Sequence, residues 1–237
     1  MSETLRMSAA AQERGGVVYE LSGVEHFFGD RQALFCPGLT VEQGRIVGIG
    51  GQNGAGKSTL LLIMAFLLAP MRGVVRFLGR PGVSGDVALR RQVVLLPQNP
   101  ALLTRRVRDN VLAGLKLRGR PEKDEAERAL DLVGLDPKLY LKRWWWELSG
   151  GEAHRVALAA RLALGERVLL LDEPTANLDP QSCEMIRRAL LGARERLGMT
   201  VVIVSHDREW LTRACDDVYR LEPGRGVRRE EEYPCVR

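Results

Sequence analysis

GQNGAGKS, running from Gly51 to Ser58, leaves this chain few folds to choose from. A strand-like apolar run, Arg45 to Ile49, precedes it, and a helix-like apolar run, Leu60 to Ala69, follows. Gly51, Gly54 and Gly56 let the backbone wrap a phosphate chain with its N–H groups turned inward, and the helix behind them aims its positive dipole end at the same point. Lys57 has the reach for β- and γ-phosphates, and the Ser58 hydroxyl suits Mg²⁺. The spacing G-x-x-x-x-G-K-[ST], set between a strand and a helix, predicts nucleotide binding.

With 237 residues, 45% hydrophobic and 27% charged, the chain has the material for one generous domain with a sizeable core. A formal charge of +5 permits an anionic partner without demanding one, and no basic stripe interleaved with aromatics marks a nucleic-acid surface. Cys36, Cys183, Cys215 and Cys235 form no C-x-x-C pair, which fits a reducing compartment, the cytosol by default. Residues 1–16 lack the apolar core of a signal peptide and are expected to be a disordered tail; residues 225–237, rich in both charge signs, are expected to fray as well. Leu60 to Ala69, the longest apolar run, is about half of the roughly 20 residues a membrane helix needs.

Val17 to Leu21 and Leu39 to Val41 read as strands, as do Val74 to Leu78 and Gln92 to Leu96, the last stopped by Pro97. Helical spacing then takes over: Val107, Val111, Leu112 and Leu115 share a face, and Glu122 to Val133 reads as an amphipathic helix. Strands resume at Val168 to Leu171 and Val201 to Val204, separated by a helix from Cys183 to Leu197. This alternation predicts a parallel sheet wound with helices and interrupted by a helical insertion over about residues 100–150, the whole forming a single domain over residues 17–224.

Asp172 and Glu173 close the run Val168 to Leu171, at the sheet edge where α/β proteins keep their ligands. Asp172 suits the water shell of a Mg²⁺, and Glu173 suits the polarisation of an attacking water. Leu148-Ser149-Gly150-Gly151-Glu152 precedes a helix expected from Ala153 to Leu164, and a serine with two glycines at a helix start makes an anion site.

Taken together and in order, these residues resemble the ATP-binding cassette ATPases, most closely the nucleotide-binding subunits of bacterial importers, over about Val17 to Leu221. Gly51 to Ser58 is similar to the Walker A loop, Gln98 to the Q-loop glutamine, Leu148 to Glu152 to the family signature, Val168 to Asp172 with Glu173 to the Walker B strand and catalytic glutamate. Asn177-Leu178-Asp179 is similar to the D-loop, and His206 to the switch histidine. The resemblance implies a P-loop NTPase (RecA-like) α/β core with an N-terminal antiparallel β subdomain and an inserted helical subdomain. It implies ATP and Mg²⁺ as cofactors, with Glu173, His206 and Gln98 catalytic and Ser58, Gln98 and Asp172 holding the metal. Gly51, Gln52, Asn53, Gly54, Ala55, Gly56, Lys57, Ser58 and Thr59 would hold the nucleotide, together with Ser149, Gly150, Gly151 and Asp179 across a head-to-tail homodimer. Phe28 takes the place of the aromatic that stacks on adenine, with Phe27 as the alternative.

By the same resemblance the partners are a transmembrane permease subunit, a second copy of this chain and a solute-binding protein, the chain lying on the cytoplasmic face of the membrane, with no nucleic acid expected. Gln52, Glu152 and Phe28 depart from the commoner proline, glutamine and tyrosine, and none of the changes removes a needed group. Overall likeness favours import of a small anion such as tungstate or molybdate; export, uptake of a metal or vitamin, and a soluble cassette ATPase acting on nucleic acid are the alternatives. Trp144, Trp145 and Trp146, just ahead of the signature, cannot all face one core, so at least one is expected to be exposed. Two packed rings with a third on the surface is one arrangement; an exposed ring serving as a socket for the membrane partner is the other.

Overall fold

The computed structural model describes residues 16–120 and 124–230. Strands β1 (Val17–Phe28) and β2 (Arg31–Glu42) form a long antiparallel hairpin, with β4 (Arg72–Phe77) on the other side of β1 and the two-residue β5 (Arg80–Pro81) beyond it. A second sheet is ordered β10-β9-β3-β8-β7-β6, built from β3 (Ile46–Gly50), β6 (Val93–Leu96), β7 (Val168–Asp172), β8 (Thr200–Ser205), β9 (Asp217–Glu222) and β10 (Gly226–Arg229). Its strands pair in parallel except β10, which turns back antiparallel onto β9.

The near-continuous apolar runs of β3, β7 and β8 follow from burial on both faces. Successive side chains alternate across the sheet, so Val168 and Leu170 join one core while Leu169 and Leu171 join the other. The first core lies between this sheet and the antiparallel one, and takes in helix α1 (Lys57–Met64). The second packs the opposite face against helices α3 (Val107–Leu117), α4 (Glu125–Leu132), α6 (Gly150–Leu162), α7 (Pro180–Leu197) and α8 (Arg208–Ala214). Two short helices, α2 (Val87–Arg90) and α5 (Pro137–Tyr140), and a turn of 3-10 helix at Trp145–Glu147 complete the described residues.

Several boundaries differ from the sequence reading for identifiable reasons. The first strands reach far beyond Val17 to Leu21 and Leu39 to Val41, because cross-strand pairing from Val17↔Glu42 to Phe28↔Arg31 carries polar positions such as Glu20, Glu25 and Gln32 along with it. The helix expected to run to Ala69 ends at Met64, with Phe66 at φ 57° and the Tyr19 hydroxyl donating to the Met64 carbonyl at 2.7 Å. The C-terminal residues expected to fray from Arg225 instead supply β10: Val227 is buried and a Cβ on Gly226 would stand 2.4 Å from Pro37 of β2. Residues 1–15 and 231–237, the remainder of the expected tails, lie outside the described residues, as do residues 121–123 at the start of the expected helix from Glu122. None of the described helices is long and apolar enough to cross a membrane.

Candidate functional site

The C-terminal ends of β3, β8, β7 and β6 stand side by side, with Gly50 opposite Ser205, Asp172 opposite Val204 and Leu96 opposite Leu171. The phosphate-loop candidate, His206, the carboxylate pair and Gln98 each leave the sheet at one of these ends, which is where open α/β sheets form their ligand crevice. A cleft of about 460 Å³ opens there, lined among others by Asn53, Gly54, Gly56, Lys57, Ser58, Thr59, Gln98, Asp172, Glu173 and His206. The hairpin tip of β1 and β2 closes one side of it with Phe28, Arg31 and Ala33.

Close packing explains two of the loop's glycines. At Gly56, with φ 99°, a Cβ would stand 2.3 Å from the Ala33 carbonyl oxygen; at Gly51 it would stand 2.6 Å from that of Leu221. Any side chain would therefore push the loop off the hairpin or off β9. Lys57 is buried, donating from Nζ to the carbonyls of Gly51 (2.7 Å) and Gln52 (3.2 Å) and lying 3.3 Å from Glu173 Oε1.

Glu173 is buried and held on both oxygens. Its Oε2 accepts from the Ser205 hydroxyl (3.0 Å) and the His206 backbone N–H (3.1 Å), and lies 2.8 Å from His206 Nδ1. An ionised carboxylate brings no hydrogen, so that last contact requires the imidazole proton on Nδ1 and turns Nε2 outward. The backbone at Glu173 has φ 47°, a left-handed conformation costly for a side chain of this size and characteristic of functional sites. Asp172, half-buried, takes a hydrogen bond from Ser58; burial raises its pKa and the Ser58 bond works against that rise.

Ser149, Gly150, Gly151 and Asp179 are outside the cleft lining. The helix expected from Ala153 starts at Gly150 instead, because Ser149 and Glu152 cap it reciprocally: Ser149 Oγ accepts from the Glu152 N–H (3.3 Å), and Glu152 Oε2 accepts from the Ser149 N–H (2.8 Å). The Tyr140 hydroxyl also donates to Glu152, and Arg143 lies beside it. Ser149 and Gly150 face solvent, whereas a Cβ on Gly151 would stand 2.6 Å from the hydroxyl of Ser182. That hydroxyl donates to Asp179, whose carboxylate caps α7.

Phe28 is 58% exposed and lines the cleft, while Phe27 lies under the Arg72 guanidinium, 5.9 Å from its ring centroid, so geometry favours Phe28 for stacking. His26 braces the Phe28 ring edge-on at 4.9 Å. Of the three tryptophans, Trp145 and Trp146 are exposed and Trp144 is half-buried, so the arrangement with two packed rings does not hold. Trp144 stacks on Trp146 at 4.7 Å, with the Arg106 guanidinium 5.0 Å from the centroid of the Trp144 ring. Arg31 and Ala33 are the cleft residues that sequence reasoning missed; the signal for Arg31 is its place three residues after Phe28, at a hairpin turn where both side chains reach one cleft.

Residues 37–176 match the family described as ABC transporter. The chain is 36% identical over 208 residues to the tungstate uptake system ATP-binding protein TupC of Peptoclostridium acidaminophilum, covering 86% of this chain and 94% of that protein. It is 38% identical over 207 residues to the methionine import ATP-binding protein MetN of Caulobacter vibrioides, covering 84% of this chain but 62% of that protein. Among solved structures, a dimeric post-hydrolysis state of the ATP-binding cassette MJ0796 bound to ADP and Pi superposes with a TM-score of 0.78 at 27% identity, over 91% of this chain and 100% of that one. The cleft, its loop and these likenesses agree: the chain belongs to the ABC transporter family, as one of its ATP-binding, ATP-hydrolysing subunits.

Proposed function

We propose that this subunit energises import of a small oxyanion such as tungstate or molybdate, working as a head-to-tail homodimer on the inner face of a membrane beneath a separate permease, with a solute-binding protein delivering the cargo. The observation that carries the cargo is the match to the tungstate protein over 94% of its length. Cells producing the chain with its permease and solute-binding partners are expected to accumulate tungstate, and to stop when Glu173 becomes Gln. Accumulation of methionine and none of tungstate would overturn the cargo assignment.

In this reading Phe28 stacks on adenine, and the amides of the segment from Gly51 to Thr59 cradle the phosphates with Lys57 on the β- and γ-positions. The donor set fits Mg²⁺: Ser58 and Asp172 already share a hydrogen bond, and Gln98 lines the same cleft with another hard oxygen. No cluster of three or more His, Cys, Asp or Glu able to hold a metal occurs among the described residues, so the ion would complete its shell with phosphate and water oxygens. Bound there, it would draw charge from the phosphates. Glu173 orients and deprotonates the attacking water, and His206, fixed by its Nδ1–H bond to Glu173, turns Nε2 toward the γ-phosphate, to which it donates when the ring carries a proton on both nitrogens.

Trp145 and Trp146 are proposed to form part of the permease socket. The segment that leaves Gln98 is stitched to them: the Trp145 N–H donates to the Arg105 carbonyl (3.2 Å), and the Val107 N–H to that of Arg143 (2.9 Å). These backbone bonds would give a shift at Gln98 a route to the exposed rings. Trp145→Ala or Trp146→Ala is expected to fold and bind ATP normally while copurifying poorly with the membrane subunit. Full retention of the partner by both variants would move the socket elsewhere.

A further inference from the structure

We infer that Arg31 is a phosphate-capture residue of this cleft, a second cation that the phosphate-loop motif does not contain. The inference rests on reading the cleft as the ATP site.

Two cations and two carboxylates line the cleft: Arg31, Lys57, Asp172 and Glu173. Lys57 is spoken for, 3.3 Å from Glu173 and bonded to two loop carbonyls. Asp172 has only the neutral Ser58 as hydrogen-bond donor. Arg31 is exposed and pairs with no carboxylate among the described residues. Without Arg31 the lining side chains would carry a net negative charge, a poor surface for a polyanion to enter.

Position makes the charge usable. Ala33 is held against the loop, since its carbonyl oxygen lies where a Cβ on Gly56 would be 2.3 Å away. Arg31 stands two residues earlier on the same strand, across the ladder irregularity at Ala33, and both line the cleft. Its guanidinium reaches the loop itself: Nη2 would be 3.4 Å from a Cβ placed on Gly54. Across the hairpin Arg31 pairs with Phe28, so one tip presents a flat ring and a planar five-donor cation to a single cleft. A guanidinium at Gly54 lies on the loop whose amides face phosphate oxygens, and it matches those oxygens in charge and geometry.

The test uses the full chain, titrated calorimetrically with ATP, with ADP and with inorganic triphosphate. Arg31→Ala is expected to weaken all three by a common factor of about tenfold at low salt, the scale of one charged hydrogen bond. The deficit should narrow as salt screens the exposed charge, and Arg31→Lys should recover most of it. Unchanged affinity at low salt overturns the inference. So does weakened ATP binding with inorganic triphosphate untouched, which would place the contact on ribose or base. Lys57→Ala in the same series separates the two levels: if it too binds ATP like the parent, the reading of the cleft has failed, and not only the role of Arg31.

Discussion

Glu173→Gln is expected to bind ATP as tightly as the parent and to hydrolyse it at least about a hundredfold more slowly, the usual worth of a general base. The neutral amide keeps the size and can still accept from Ser205 and the His206 N–H, so the loop should stay in place. What it loses is the proton-accepting oxygen. Of the two carboxylate oxygens, Oε2 is saturated by Ser205 and by His206 through both its backbone and its ring. Oε1 contacts Lys57, a group for which phosphates are a competing partner, and so is the oxygen free to take the water's proton. The strained φ of 47° favours this reading, because strain persists where the surroundings over-determine a residue. Steady-state turnover in the assembled transporter, beside equilibrium ATP binding, checks it; unchanged turnover would remove Glu173 from the role of base.

The core of this site could be read from sequence because its signals are local. A glycine loop between strand and helix, and acids at the end of an apolar run, depend on residues adjacent in the chain, and the parallel sheet brings Gln98, Asp172, Glu173 and His206 to one edge once those strands form. What escaped depends on pairing between distant segments. The length of β1 and β2 is set by their ladder, β10 by its seat against Pro37, and Arg31 by a turn that folds it toward Gly54. The signature helix starts at Gly150 rather than Ala153: glycines argue against a helix interior, but at the first turn the capping by Ser149 and Glu152 outweighs that preference. Of the two arrangements open for the tryptophans, two rings packed in the core does not hold, since Trp144 stacks on Trp146 and has Arg106 over its ring.

Ser149→Arg in the Glu173→Gln background is expected to abolish a dimer that the Glu173→Gln chain forms with Mg-ATP. Behind this expectation is the proposal that the site is split in two. The cleft holds the loop, the acids and His206, while Ser149, Gly150 and Gly151 are outside its lining, at the open end of a thirteen-residue helix. That end has the attributes of an anion site: exposed N–H groups, a favourable dipole, and a Gly150 whose Cβ position meets nothing within 4 Å. The capping box uses Ser149 Oγ as an acceptor, leaving its O–H to donate outward. In the proposed head-to-tail pair, each such end would close on the γ-phosphate held by the other copy; the similar cassette MJ0796 has itself been solved as a dimer, bound to ADP and Pi. Arginine at this position removes the cap, costing about 0.5–2 kcal/mol of helix stability, and fills the approach to the partner. Ser149→Ala separates the two effects, because it loses cap and hydroxyl but adds no bulk. Sizing chromatography with Mg-ATP should show dimer for Glu173→Gln, a weakened dimer with Ser149→Ala added, and monomer with Ser149→Arg added. In the otherwise unaltered chain Ser149→Arg should lower turnover by about a hundredfold or more, since donors to the developing phosphate charge are lost. A chain that stays monomeric at every concentration with full activity would show that one copy completes its own site.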